Sequence, residues 1–241
     1  MNLTKDKFFS IISHDLKNPA LAQRDAIQML VNNARLWSAD TLTEYYGGLL
    51  KSATGQVELI YNLLNWAQVQ TGRMTYSPDM FLLSSLLSDI SLIRNMAENK
   101  GINLTITIPD DAVVTSDINM LAAVVRNLLT NAVKFTPSGG TVTLDISPVS
   151  PISPASPKYA FTVSDTGIGM SAEQIRNLYP LADMQIRKGT SGEKGTGLGL
   201  IVCKELLEKH GSTLHVESEE GKGSRFWFEV GMETVVVLSG K

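Results

Sequence analysis

The chain has 241 residues, 43% of them hydrophobic and 19% charged, with a formal net charge of −3. That balance fits globular protein of one large or two modest domains and supplies no basic surface for nucleic acid or an anionic membrane. The single cysteine, Cys203, excludes an internal disulfide and fits a reducing compartment; within its apolar helical run it reads as a small buried hydrophobe. No apolar stretch is long enough to span a bilayer, and the opening MNLTKDK lacks the apolar segment of a signal peptide. Any membrane anchor is therefore expected outside this chain.

From Phe9 onward, Ile12, Leu16, Ala20, Ile27 and Leu30 fall at helical spacing, and Leu42, Tyr46, Leu49, Ala53, Val57, Ile60, Leu64 and Ala67 predict a second helix. Ser38 or Asp40 can cap the second helix, and the short turn makes an antiparallel hairpin that sets His14 roughly opposite Leu63. A lone hairpin buries little surface; two hairpins complete a four-helix bundle, so a homodimer is expected. Thr71-Gly72-Arg73 breaks this pattern, dividing a hairpin of residues 1–72 from a mixed domain of residues 73–241. In the second part the pattern predicts helices over 82–99, 117–135 and 198–210. Strands are predicted over 102–108, 141–146 and 159–163, and a closing hairpin over 212–218 and 225–230. SPVSPISPASP, residues 147–157, predicts a long exposed loop, and there are no internal repeats.

Two glycine-rich stretches stand out, DTGIGM at 165–170 and GTGLGL at 195–200. The second opens directly into a helix, where unpaired amides and the helix dipole suit a phosphate chain. The first follows a strand end and sets a carboxylate at the rim of a sheet, able to accept a hydrogen bond from an adenine amine or simply to cap a turn. Neither matches a P-loop or a dinucleotide fingerprint. In NLLTNAVKFT, Asn127 and Asn131 share a helix face, and Lys134 is one turn on. Amide oxygens suit magnesium, although such a pair taken alone reads as solvent-facing. His14 lies off the Ile12–Leu16 stripe, beside Asp15 and one turn before Asn18, with Pro19 bending the rod beyond. A lone helical histidine is ordinarily a surface residue; here a nucleophilic ring nitrogen has a carboxylate next to it.

Taken together, SHDLKNP, NLLTNAVKFTP, DTGIGM, GTGLGL and EGKGSRFWFEV, in this order and spacing, resemble the dimerisation and catalytic core of bacterial two-component sensor histidine kinases over nearly the whole chain. The resemblance implies an α+β protein: an N-terminal helical hairpin forming a dimeric four-helix bundle, then an α/β sandwich that binds ATP. It implies phosphoryl transfer from ATP to His14 with Asp15 as general base, and Asn18 placing a water for dephosphorylation of the partner. It implies that Asn131 holds magnesium with Asn127 in support, that Lys134 contacts phosphate, and that Asp165 reads adenine beside Gly167 and Gly169. Gly195, Thr196, Gly197, Leu198 and Gly199 would border the phosphates, with Lys188 in reach of them. A response-regulator receiver domain is the implied partner, and the cytoplasmic portion of a larger bacterial sensor the implied setting.

The segment IRNLYPLADMQIRKG departs from the family's aromatic-rich box, with Tyr179 its only aromatic, and Arg187, Lys188 and Lys194 each read equally as solvated charges. Ala20 stands where the family often has leucine. Competing readings are an ATPase clamp of the same superfamily, a dimeric phosphotransfer scaffold with an impaired ATP site, and a serine kinase. The box around His14 argues against the first and last; the second stays open, because the asparagine and glycine boxes are intact but the lid segment 181–194 departs from the family.

Overall fold

The computed structural model describes residues 3–71, 75–87, 90–110, 112–149, 158–179, 188–193 and 197–231, with side chains from Leu16 onward except at positions 51, 58, 62, 65, 66, 69 and 70. Helix α1 (Leu3–Asn33), a 3₁₀ turn (Ala34–Leu36) and α2 (Ala39–Gln70) form the expected hairpin. Ser38 is the cap, its Oγ accepting from the Thr41 N–H at 3.2 Å. Gln23 Nε2 donates to Ser52 Oγ at 3.1 Å, and Gln56 Nε2 to the Leu16 carbonyl at 3.3 Å. These pairs put the level of His14 near Leu59, about one helical turn from the expected Leu63. The reason is that the chain reverses around Ala34–Leu36 rather than after it.

Next come β1 (Asp79–Leu82), a 3₁₀ turn (Leu83–Leu87), α3 (Ser91–Lys100), β2 (Asn103–Thr107), β3 (Val113–Ser116), α4 (Ile118–Phe135), β4 (Thr141–Pro148) and β5 (Lys158–Asp165). They are followed by α5 (Ala172–Arg176), α6 (Leu198–Lys209), β6 (His215–Glu219) and β7 (Gly223–Gly231). The single helix expected over 82–99 is corrected: Leu82 ends β1, Leu83–Leu87 form a 3₁₀ turn, and only Ser91–Lys100 is α-helical. Leu83 and Leu86, three apart, are buried from the tighter 3₁₀ turn, a spacing that an α-helix shares. The main sheet has the order β2-β4-β5-β7-β6, with β2 and β4 parallel and the other pairs antiparallel.

One face of this sheet is apolar because the strands alternate. Val142, Leu144, Ile146, Phe161, Val163, Phe226, Phe228 and Val230 point inward and are buried beneath the helices. Phe161 and Phe228 stack with centroids 4.9 Å apart, and burying each ring stabilises the fold by about 1.5–3 kcal/mol. Helix α4 supplies the opposing surface through Leu121, Val124, Leu128 and Leu129, and α6 through Val202, Cys203, Leu206 and Leu207. The result is the α+β architecture predicted, helices on one side and a polar sheet face on the other. Helix α2 packs against α6, and Leu59 joins the core. The expected linker at 72–73, most of the predicted loop (150–157) and the tail 232–241 lie outside the described residues.

Candidate active site

Helix α4 is fixed at its start by Asp117, whose Oδ1 accepts from the Asn119 and Met120 N–H groups and whose Oδ2 accepts from Ser77 N–H. A cap of this kind is worth about 1 kcal/mol, and it fixes the rotation of the helix that carries Asn127, Asn131 and Lys134. Asn127 is buried, with Nδ2 donating to the Ala123 carbonyl at 3.1 Å, and Asn131 is half-buried. The solvent-facing reading of this pair is therefore corrected. The cause is α6, whose first turn lies against them: a Cβ on Gly199 would stand 2.8 Å from Asn127 Oδ1 and 3.8 Å from Asn131 Nδ2. Gly197 starts α6 with φ 71°, a left-handed conformation that suits glycine. Leu198 is buried, so its side chain belongs to the core and only its backbone is available to a ligand. Gly195 and Thr196 lie outside the described residues.

Asp165 ends β5, and its environment is built from three directions. Its Oδ1 accepts from the Gly167 N–H at 2.8 Å and the Ser224 N–H at 3.3 Å. Oδ2 has no hydrogen bond among the described residues. Burial pushes this carboxyl above its ordinary value, and the two N–H donors only partly offset that. The following loop is clamped: Ile168 N–H donates to the Phe135 carbonyl at 3.1 Å, and Gly221 N–H to the Ile168 carbonyl at 2.8 Å. Neither loop glycine has room for a side chain; a Cβ on Gly167 would meet Asp165 Oδ1 at 2.6 Å, and one on Gly169 the Glu219 carbonyl. Ser171 then starts α5 with a reciprocal capping box to Gln174, a sequence signal that the strand-and-helix reading passed over.

At the C-terminal end of α4, the Lys134 side chain is buried and its Nζ lies 5.0 Å from the Phe135 ring centroid. The turn Lys188–Glu193 rests on this helix end. Thr190 N–H donates to the Lys134 carbonyl at 3.1 Å and its Oγ1 to the Thr136 carbonyl at 3.0 Å. Lys188 itself is exposed, and Arg187 and Lys194 lie outside the described residues. Tyr179 is half-buried, with Lys204 Nζ 5.3 Å from its ring centroid. The structure thus gathers Asn127, Asn131, Lys134, Asp165, Gly167, Gly169, Gly197 and Gly199 around α4, the loop after β5 and the start of α6. His14 and Asp15 are on α1, but their side chains lie outside those described; Asn18 is on the same helix and exposed.

Residues 116–234 match the family of histidine kinase-, DNA gyrase B- and HSP90-like ATPases. This part of the chain is an ATP-binding domain of that family. The sensor protein KdpD of Clostridium acetobutylicum is 26% identical over 223 residues, 92% of this chain and 24% of that protein. The histidine kinase AdeS of Acinetobacter baumannii superposes with a TM-score of 0.65 at 15% identity, covering 92% of this chain and 98% of that one. The histidine kinase ThkA, solved in complex with the response regulator TrrA, gives a TM-score of 0.62 at 17% identity, over 94% of this chain and 61% of that one. In sequence, the likeness to two-component sensor proteins covers nearly the whole chain, which supports the catalytic core of a sensor histidine kinase. It spans about a quarter of the length of the curated relatives it matches. Among the described residues no helix is long and apolar enough to cross a membrane.

Proposed function

We propose that this kinase-type ATPase core phosphorylates its own His14 from ATP and passes the group to an aspartate of a response-regulator receiver domain. The observation that carries the nucleotide half is Asp165 Oδ2, a half-buried acceptor without a hydrogen-bond partner among the described residues, at a glycine loop with no room for side chains. An adenine amine would supply that donor, and the amides at the start of α6, where Gly199 packs against Asn127 and Asn131, would face the phosphates. Magnesium would offset phosphate charge. Asn131, supported by Asn127, would hold it through amide oxygen while phosphate and water complete the shell.

In the transfer, a ring nitrogen of His14 forms the N–P bond as the bond from the γ-phosphorus to its bridging oxygen breaks. The electron pair leaves on ADP, and Asp15 takes the proton from the other ring nitrogen. Lys134 and Lys188 would compensate charge on the phosphates. The hairpin of residues 1–72 would pair with a second copy, and the domain of residues 73–241 would move to present the nucleotide to His14. The regulator would dock near His14, where Asn18 would place a water for the reverse, phosphatase reaction. The chain would work in the cytoplasm as part of a longer sensor. Labelled ATP should leave an acid-labile phosphate on the wild type and none on His14→Gln. Label on the variant would overturn His14 as acceptor.

A further inference from the structure

Two carbonyls at the end of α4 meet a lysine from a different helix. Lys100, the last residue of α3, sends Nζ to the Val133 carbonyl at 2.9 Å, the Lys134 carbonyl at 2.7 Å and Glu193 Oε1 at 2.9 Å. Its side chain is 10% exposed and that of Glu193 24%. The other oxygen of Glu193 accepts the Ser191 N–H at 2.8 Å, and its backbone carbonyl accepts the Gly189 N–H at 2.7 Å. The Lys134 carbonyl also takes the Thr190 N–H. A cation is favourable at a helix C-terminus, where unpaired carbonyls carry the negative end of the dipole. All three of its hydrogen bonds here go to named acceptors, so the ammonium is fully used. Contact is tight as well: a Cβ on Gly189 would fall 2.6 Å from Lys134 Cγ.

We infer that Lys100 and Glu193 are positioning residues for the nucleotide site, tying the turn Lys188–Glu193 to the end of α4 so that Lys188, Lys134 and the entry to α6 keep a fixed relation. The pair touches no substrate and acts through the backbone it holds. This rests on the nucleotide reading above. Removing either partner leaves the turn held to α4 by the Thr190 contacts alone, and leaves the other polar group largely buried without its mate.

The test uses the full chain as wild type, Lys100→Met, Glu193→Gln, the double variant and Lys100→Arg. The readouts are ATP affinity with magnesium, thermal unfolding, and amide exchange at Thr190 and Ser191 without nucleotide. Each single variant should stay folded, bind ATP about tenfold more weakly and exchange those two amides faster. The double variant should be no worse than either single, and Lys100→Arg should bind like the wild type. Wild-type affinity in folded single variants, or losses that simply add in the double, would overturn the pairing. If Lys100→Met does not fold, Glu193→Gln carries the comparison. If the wild type binds no ATP, the nucleotide reading fails, and unchanged Thr190 and Ser191 exchange in the variants would separately sink the tether.

Discussion

Asn127 and Gly199 touch across two helices: the amide oxygen of one lies 2.8 Å from where a Cβ on the other would sit. Glycine here is a cost to helix α6, about 1 kcal/mol against alanine, so its presence is explained by the contact. Gly199→Ala should therefore split stability from binding. Better helix propensity offsets the push on the Asn127 amide, leaving the unfolding temperature within a few degrees of wild type. ATP affinity should drop about tenfold as the start of α6 moves off Asn131. Calorimetric titration beside a thermal melt checks it; unchanged affinity would show that this contact does not shape the site.

Glu193 gives a pH signature. Burial raises its carboxyl, but the Lys100 ammonium and backbone donors including Ser191 outweigh burial and hold it below the ordinary value. A depressed acid stabilises the fold above its unfolded pKa and loses that contribution as pH falls through the folded one. The stability gap between wild type and Glu193→Gln should be full at pH 7 and close as pH falls below the ordinary glutamate range. Urea unfolding at a series of pH values measures this, and a gap constant with pH contradicts the ion pair.

Cys203 is fully buried, its Sγ 3.8 Å from the Val124 carbonyl, and burial pushes the thiol far above its usual value. It should resist iodoacetamide at pH 8 in the native protein and react once unfolded by guanidinium. Mass spectrometry after a short pulse distinguishes the two. Rapid labelling of native protein would mean that α6 opens locally away from α4.

The hairpin carries a stripe that one copy leaves uncovered. Leu50 is 70% exposed, Val57 51% and Leu64 53%, spaced by sevens on α2, with Ile27 and Val31 exposed on α1. Apolar surface of this extent calls for a partner, and in the proposed dimer a second hairpin would supply the matching one. Wild type should sediment as a dimer, and Leu50→Glu combined with Val57→Glu as a monomer with its ATP affinity kept. A dimer that survives both changes would place the interface elsewhere.

Much of this was legible because local chemistry and tertiary structure agree. The apolar face of α4 stops at a proline-glycine turn, alternating residues mark β4 and β5, and Ser38 announces its helix. The stretch 82–99 misled because Leu83 and Leu86, three apart, suit a 3₁₀ turn as well as an α-helix, and four-residue strands such as Val113–Ser116 leave almost no period to read. Motif spacing brought Asp165 and the asparagines forward. Their orientation was not legible, since Asn127 turns inward only because α6 covers it. Lys100 and Glu193 are 93 residues apart and belong to no pattern; their meeting depends on where α3 ends.

Asp165 offers the sharpest trade of stability for recognition. Its folded pKa is raised, chiefly by burial, so the charged form is the strained one. For such an acid, stability is greatest below the unfolded pKa and declines as pH rises through the folded value. Asp165→Asn keeps an oxygen for the Gly167 and Ser224 amides but carries no charge. It should therefore equal or exceed the wild type in stability at pH 7, with an advantage that shrinks in acid. Binding should go the opposite way. The second oxygen becomes an NH₂ facing the adenine amine, donor against donor, and losing a charge-assisted hydrogen bond of about 1.5–3 kcal/mol lowers ATP affinity roughly 10- to 100-fold. A nucleotide with hypoxanthine, whose carbonyl replaces that amine, should recover part of the loss in the variant and bind the wild type poorly. Equal ATP affinity in the two proteins would remove Asp165 from adenine recognition.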